Sequence, residues 1–71
     1  MNEYFNSKWG HRIKFLRKQK CLTQQELADK IGKGLNFVGK IEVAFSKPSL
    51  DTLIDIANTL ELSVSDLTKF E

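Results

Sequence analysis

Four residues near the middle of the chain have the types and spacing for recognition chemistry. Leu35, Asn36, Gly39 and Lys40 share one side of a helical pattern whose other side, Phe37, Val38 and Ile41, is apolar. An ordinary solvated helix face carries Glu, Lys and Gln throughout; this one does not. An Asn side chain offers a donor and an acceptor together, which matches the edge of adenine in a DNA major groove, and a Leu can touch a thymine methyl. Lys40 can reach a guanine edge or a phosphate, and Gly39 has no side chain to hold a partner away. This chemistry is the reading of base edges, with no bond made or broken.

The elements that must position these residues lie in the stretch LTQQELADKIGKGLNFVGKIE, from Leu22 to Glu42. Thr23 followed by Glu26 three residues later forms a capping box, the signature of a helix start. Leu27, Ala28 and Ile31 then recur at helical spacing and predict a helix from about Gln24 to Ile31. Gly32-Lys33-Gly34 breaks that pattern with residues able to take turn conformations. The second pattern predicts a helix over about 35–44. Two helices joined by a tight turn, the second presenting a polar and unencumbered face, match the helix-turn-helix arrangement, which lays its second helix in the major groove.

Trp9, Ile13 and Leu16 form a core stripe in a first helix expected over about 8–20, while His11, Arg12, Lys14, Lys18 and Lys20 lie on a solvated side. Phe15 sits off the stripe, either partly exposed or at an interface. Residues 1–7 are expected to be a short leader, in which Tyr4 and Phe5 fold back on the core, meet a second subunit, or fray. Past Glu42, 43–47 reads as a loop, with Phe45 packed inward or on a neighbouring subunit and Lys47 placed to meet a phosphate. Ser49 caps a fourth helix, about 50–60, whose buried stripe is Leu53, Ile56, Ala57 and Leu60 and whose Asp51, Asp55 and Asn58 face water. Ser63 with Asp66 repeats the capping pattern and opens a short last helix, about 64–69. Leu62, Val64 and Leu67 close the core. The fold class is therefore all-α, a compact bundle of about five short helices in one domain over residues 1–71, with the helix-turn-helix at about 23–44.

The chain as a whole sets bounds on function. Its 71 residues are near the lower size at which a domain folds alone. With 41% hydrophobic and 28% charged residues it is ordinary for a globular protein. The net charge of +2 conceals an asymmetry: residues 1–40 carry nine Lys/Arg and three Asp/Glu, and residues 41–71 two and six, that is +6 against −4. A basic half beside an acidic half suits a molecule with one face for nucleic acid, although uneven surface charge alone would give the same count. One Cys allows no internal disulfide and agrees with a reducing compartment. The opening MNEYFNSKWG lacks the apolar run of a signal peptide, and no stretch reaches the length of a membrane span. The expected location is cytoplasmic, with the nucleoid, and no membrane contact is expected. One His, one Cys and one Tyr, scattered, support neither a metal site nor catalysis. No cofactor, metal or small-molecule ligand is expected.

LTQQELADKIG, then FVGKIE, then KPSLDTLIDIANTLELSVSDL resemble the bacterial and phage helix-turn-helix repressors of the lambda Cro/CI type, the XRE family. The likeness extends from about Trp9 to Leu67 and rests on many positions in register, among them Arg12, Ile13, Leu16, Arg17, Leu22, Gln24, Glu26, Leu27, Ala28, Gly32, Ile41, Glu42, Pro48, Leu53, Ala57 and Leu60. It implies a DNA-binding transcriptional regulator that acts as a homodimer on a palindromic operator, with Leu35, Asn36, Gly39 and Lys40 at the bases. It implies a phosphate contact from Gln24; Lys33 at the turn and Lys47 in the loop are placed to add others, and Gly34, at a position where the family touches DNA, is counted with them although it has no side chain to offer. It implies an ion pair between Arg17 and Glu42 that ties the first helix to the third. It also implies dimer contacts near the last helix, for which Leu62, Val64 and Phe70 are the candidates. The chain departs from the pattern at four places: Cys21 stands where Gly is usual past the first helix, Gly34 replaces a capping Ser or Thr, Phe37 replaces Tyr, and Gly39 replaces Ser. These changes leave base readout resting on few side chains, chiefly Asn36 and Lys40, with DNA shape contributing. A protein-interaction module of the same fold that has lost DNA binding is the alternative. It requires Asn36 and Lys40 to be dispensable, and Tyr4, Phe5 and Phe15 to matter instead.

Overall fold

The computed structural model describes the backbone of residues 3–67 and the side chains of residues 8–67. Five helices follow one another: α1 Glu3–Gln19, α2 Gln24–Lys30, α3 Phe37–Glu42, α4 Leu50–Thr59 and α5 Val64–Leu67. α1 packs on α3 and α5, α2 bridges to α3 and α4, and α4 lies on α5. The core is contributed by every helix: Ile13 and Leu16, Leu27 and Ala28, Val38 and Ile41, Leu53, Ile56, Ala57 and Leu60, and Leu67 are all buried. Trp9, Leu22, Ile31, Phe37, Leu62 and Val64 pack around it, partly buried.

Three of the helices start on side-chain caps. Thr23 Oγ1 accepts the Glu26 amide at 3.0 Å while Glu26 Oε1 accepts the Thr23 amide at 2.8 Å, so the capping box is complete. Ser49 Oγ accepts the Thr52 amide ahead of α4, and Ser63 exchanges the same pair of bonds with Asp66 ahead of α5. α3 has no such cap: Asn36 precedes it without a side-chain bond. Its N-terminus grows out of a turn closed by the Phe37 amide on Gly34 O at 3.2 Å.

Two helices differ in length from the sequence expectation. α1 begins at Glu3, because nothing in residues 3–8 breaks a helix, so most of the expected leader is the first turns of α1. α3 is shorter than 35–44. Leu35 and Asn36 lie on the entering turn, and the helix stops at Glu42 because Ala44 takes a left-handed conformation, φ 64°. Phe70, and the side chains of Tyr4 and Phe5, fall outside the described residues.

The C-termini of α1, α2, α3 and α4 share one device. In a Schellman motif two successive amides past the helix bond back to its last turn, and the residue donating the first of them is left-handed. Cys21 N to Lys18 O with Leu22 N to Arg17 O ends α1; Gly32 N to Asp29 O with Lys33 N to Ala28 O ends α2. Ala44 N to Ile41 O with Phe45 N to Lys40 O ends α3; Glu61 N to Asn58 O with Leu62 N to Ala57 O ends α4. The left-handed position is Gly only at Gly32; Cys21, Ala44 and Glu61 hold it at φ near 60°. Each non-glycine residue there carries a steric cost of about 1 kcal/mol. Cys21 is exposed and has nothing to lose in packing. Cys21→Gly is therefore expected to raise stability by about 0.5–1 kcal/mol, and Cys21→Val to lower it. Urea midpoints of the two variants check this; a Gly variant no more stable than the parent would contradict it.

Candidate nucleic-acid interface

The outward side of α3 is held from behind by a buried polar network. Arg17, on the last turn of α1, donates from Nε to Glu42 Oε2 at 2.6 Å and from Nη2 to Glu42 Oε1 at 3.1 Å. Its Nη1 donates to Leu22 O at 2.6 Å, fixing the start of the link to α2. Glu42 Oε1 accepts a further bond from Gln24 Nε2 at 2.9 Å. The two charged side chains are only 6% and 1% exposed. One carboxylate at the end of α3 is thereby tied to α1 and to the first residue of α2. A bidentate guanidinium–carboxylate pair has one favoured geometry, so it fixes an angle between helices.

Behind the same turn α1 comes still closer. Gly10, in the middle of α1, is buried, and a β-carbon built on it would stand 2.5 Å from Glu42 O and 2.6 Å from Ile41 O. Only a glycine lets the two helices meet at this distance. Arg12, expected on a solvated side, instead donates from Nε to Asp66 O at 3.0 Å and joins α1 to α5.

The outward residues are Leu35, Asn36 and Lys40, all exposed, with Gly39 half-buried between them. An open groove of about 380 Å³ runs along Asn36, Gly39 and Lys40 and is lined also by Gln24, Val43 and Phe45. Gln24 forms one wall, with its Oε1 3.3 Å from where a Gly39 β-carbon would lie. Its amide nitrogen is committed to Glu42, so a phosphate contact by Gln24 would share that donor. Gly34, Lys33 and Lys47 are exposed near the two ends of this face, Lys33 with its ammonium 5.3 Å from the centre of the Phe37 ring. Gly34 has open space where a side chain would be, so a Ser there would fit.

The other wall holds the main surprise. Phe45 does not pack inward: it is 76% exposed, and Val43, which lines the same groove, is 74% exposed. The Lys40 ammonium lies 5.7 Å from the centre of the Phe45 ring. Exposed Leu50 and Ile54 make a second, smaller apolar strip on α4, among Asp51 and Asp55. Leu62 and Val64, the dimer candidates, are partly buried against the protein's own core.

A first helix, two short helices joined by a turn, and an exposed face on the second of them define a helix-turn-helix domain. The chain belongs to the helix-turn-helix family of the Cro/CI type: a sequence model of that family matches residues 13–67. It is 40% identical over 63 residues to YqaE, an uncharacterized HTH-type transcriptional regulator of Bacillus subtilis (strain 168), covering 89% of this chain and 54% of that protein. It is 41% identical over 56 residues to the immunity repressor protein of Bacillus phage phi105, covering 79% and 39%. The chain thus spans about half or less of the length of these two relatives. It is 36% identical to the uncharacterized regulator YazB of B. subtilis, covering 83% of this chain and 86% of that one. The crystal structure of the clp gene regulator ClgR from Corynebacterium glutamicum shares the fold, with TM-score 0.85 at 22% identity over 89% of this chain and 67% of that one.

Proposed function

We propose that the chain is a DNA-binding transcriptional regulator that places α3 in the major groove of a palindromic operator as a homodimer. It is not an enzyme. The observation that carries this reading is the outward face of α3 and its entering turn: Lys40 on the helix and Asn36 just ahead of it are both exposed, and the helix is anchored from behind by Arg17, Glu42 and Gln24. Family membership and the names of the relatives support it, as does the concentration of positive charge in residues 1–40. Asn36 and Lys40 read bases, Leu35 meets a thymine methyl and Gly39 allows close approach. Gln24, Lys33, Gly34 and Lys47 lie against the phosphates, which supply most of the affinity and its salt dependence. Two copies related by a two-fold axis present α3 roughly 34 Å apart, one turn of DNA. No helix among the described residues is long and apolar enough to cross a membrane.

Alanine variants separate the roles. Asn36→Ala and Lys40→Ala are each expected to weaken the preferred duplex by about 1–3 kcal/mol and to relax choice at one base pair. Lys33→Ala and Lys47→Ala are expected to weaken all duplexes alike and to reduce the slope of log K against log salt by about 1. Competition binding against point-mutated duplexes distinguishes the two patterns. If neither Asn36→Ala nor Lys40→Ala changes regulation in cells, the face of α3 is not used on DNA, and the protein-interaction alternative takes its place.

A further inference from the structure

We infer that Phe45 is a positioning residue for Lys40, holding its ammonium at the mouth of the α3 groove so that it reads a base edge; this rests on the DNA-binding reading above. The Schellman motif places the second residue past a helix against the residue at the start of the last turn, and an apolar contact between the two is common. At the end of α4 the corresponding residue is Leu62 beside Ala57, and Leu62 packs on the core; at the end of α1 it is Leu22, likewise packed on the core. At the end of α3 it is Phe45 beside Lys40, held by the Phe45 amide on Lys40 O at 2.8 Å. Here the ring faces solvent, 76% exposed, and the Lys40 ammonium lies over it, 5.7 Å from the ring centre.

A large exposed ring is unfavourable in water and contributes little to the core, so its place calls for another account. A cation within about 6 Å of a ring face is drawn to the ring's quadrupole. A lysine on a flexible four-carbon stem otherwise samples many directions, and its ordering on binding opposes affinity. The ring narrows those directions beforehand and leaves the ammonium's N–H groups free for an acceptor. Both residues line the groove that also holds Asn36 and Gly39. Lys40 thereby acts as a directed donor next to Asn36 rather than as a diffuse positive charge.

The test uses the full chain and the duplex that it selects from a random pool, compared with a scrambled duplex at several salt concentrations. Phe45→Ala and Phe45→Leu are expected to lose roughly fivefold on the selected duplex, with affinity for scrambled DNA, the salt slope and the melting temperature unchanged. Phe45→Tyr, which keeps the ring, is expected to bind as the parent does. In the Lys40→Ala background Phe45→Ala should add no further loss, because the two act through one contact. Three results would overturn the inference: unaltered selectivity in Phe45→Ala, full selectivity in Phe45→Leu, or additive losses in the double variant. A parent chain that selects no duplex would overturn the DNA-binding reading itself, and Phe45 with it.

Discussion

Replacing Arg17 alone, by Met, is expected to cost the fold about 3–5 kcal/mol. The substitution leaves the Glu42 carboxylate, 1% exposed, with the Gln24 amide as its one side-chain partner among the described residues. It also frees Leu22 O, which Arg17 Nη1 caps at the end of α1. Glu42→Leu should be of similar size, because it strands a buried guanidinium. A chain of 71 residues has a stability of roughly 4–10 kcal/mol, so either change removes a large part of it. The pair is not thereby a large net source of stability. Taking two charges out of water offsets most of what their attraction supplies, and the double variant Arg17→Met/Glu42→Leu should lose much less than the sum of the two. Urea unfolding followed by helical circular dichroism measures all three. Single variants within 0.5 kcal/mol of the parent would show that the network is dispensable. What the double variant is expected to lose is the fixed angle of α3, and therefore DNA selectivity, even where it stays folded.

Gly10→Ala is the second large effect, and its sign is the informative part. On helix propensity alone a Gly to Ala change inside a helix stabilises by about 1 kcal/mol. At Gly10 the new methyl would stand 2.5 Å from Glu42 O, and the obstructing atoms are backbone carbonyls rather than a side chain that can swing aside. α1 would have to lift from the end of α3. The expected outcome is a net loss of roughly 1–3 kcal/mol, larger for Gly10→Val. A thermal melt decides it: a variant melting higher than the parent would mean that α1 and α3 are not in this close contact. Gly39 offers an internal control. There the nearest atom to a new methyl is a side-chain atom, Gln24 Oε1 at 3.3 Å, which has to shift by a few tenths of an ångström against its bond to Glu42, a smaller obstacle than two backbone carbonyls.

Much of the fold is legible in the sequence because its signals are local. The capping pairs Thr23/Glu26 and Ser63/Asp66 and the cap Ser49 mark helix starts within three residues, and each forms its bonds in the structure. The stripe Leu53, Ile56, Ala57, Leu60 follows one helical period, and all four are buried. The outward placement of Lys40 follows from the same periodicity applied to α3, whereas Leu35 and Asn36 are exposed on the turn that enters it. What escapes sequence reading depends on partners far along the chain. Gly10 looks like an ordinary weak helix position until α3 is seen against it. Arg12 has the pattern of a surface cation, and its acceptor is a carbonyl 54 residues away. Ala44 carries no sequence mark of a left-handed residue, so the sequence pattern extends α3 two residues past its true C-terminal end. Phe45 follows from that stop: a large aromatic suggests the interior, but the Schellman turn directs it to the groove.

Whether the face of α3 reads DNA sequence is decided by selecting binders from a random duplex pool and measuring the best one across a salt series. The expected product is an enriched inverted repeat with half-sites about one helical turn apart, bound with an affinity that falls steeply as salt rises. Salt-sensitive binding with no enriched sequence would contradict base reading by Asn36 and Lys40. No binding even at low salt would contradict DNA recognition altogether.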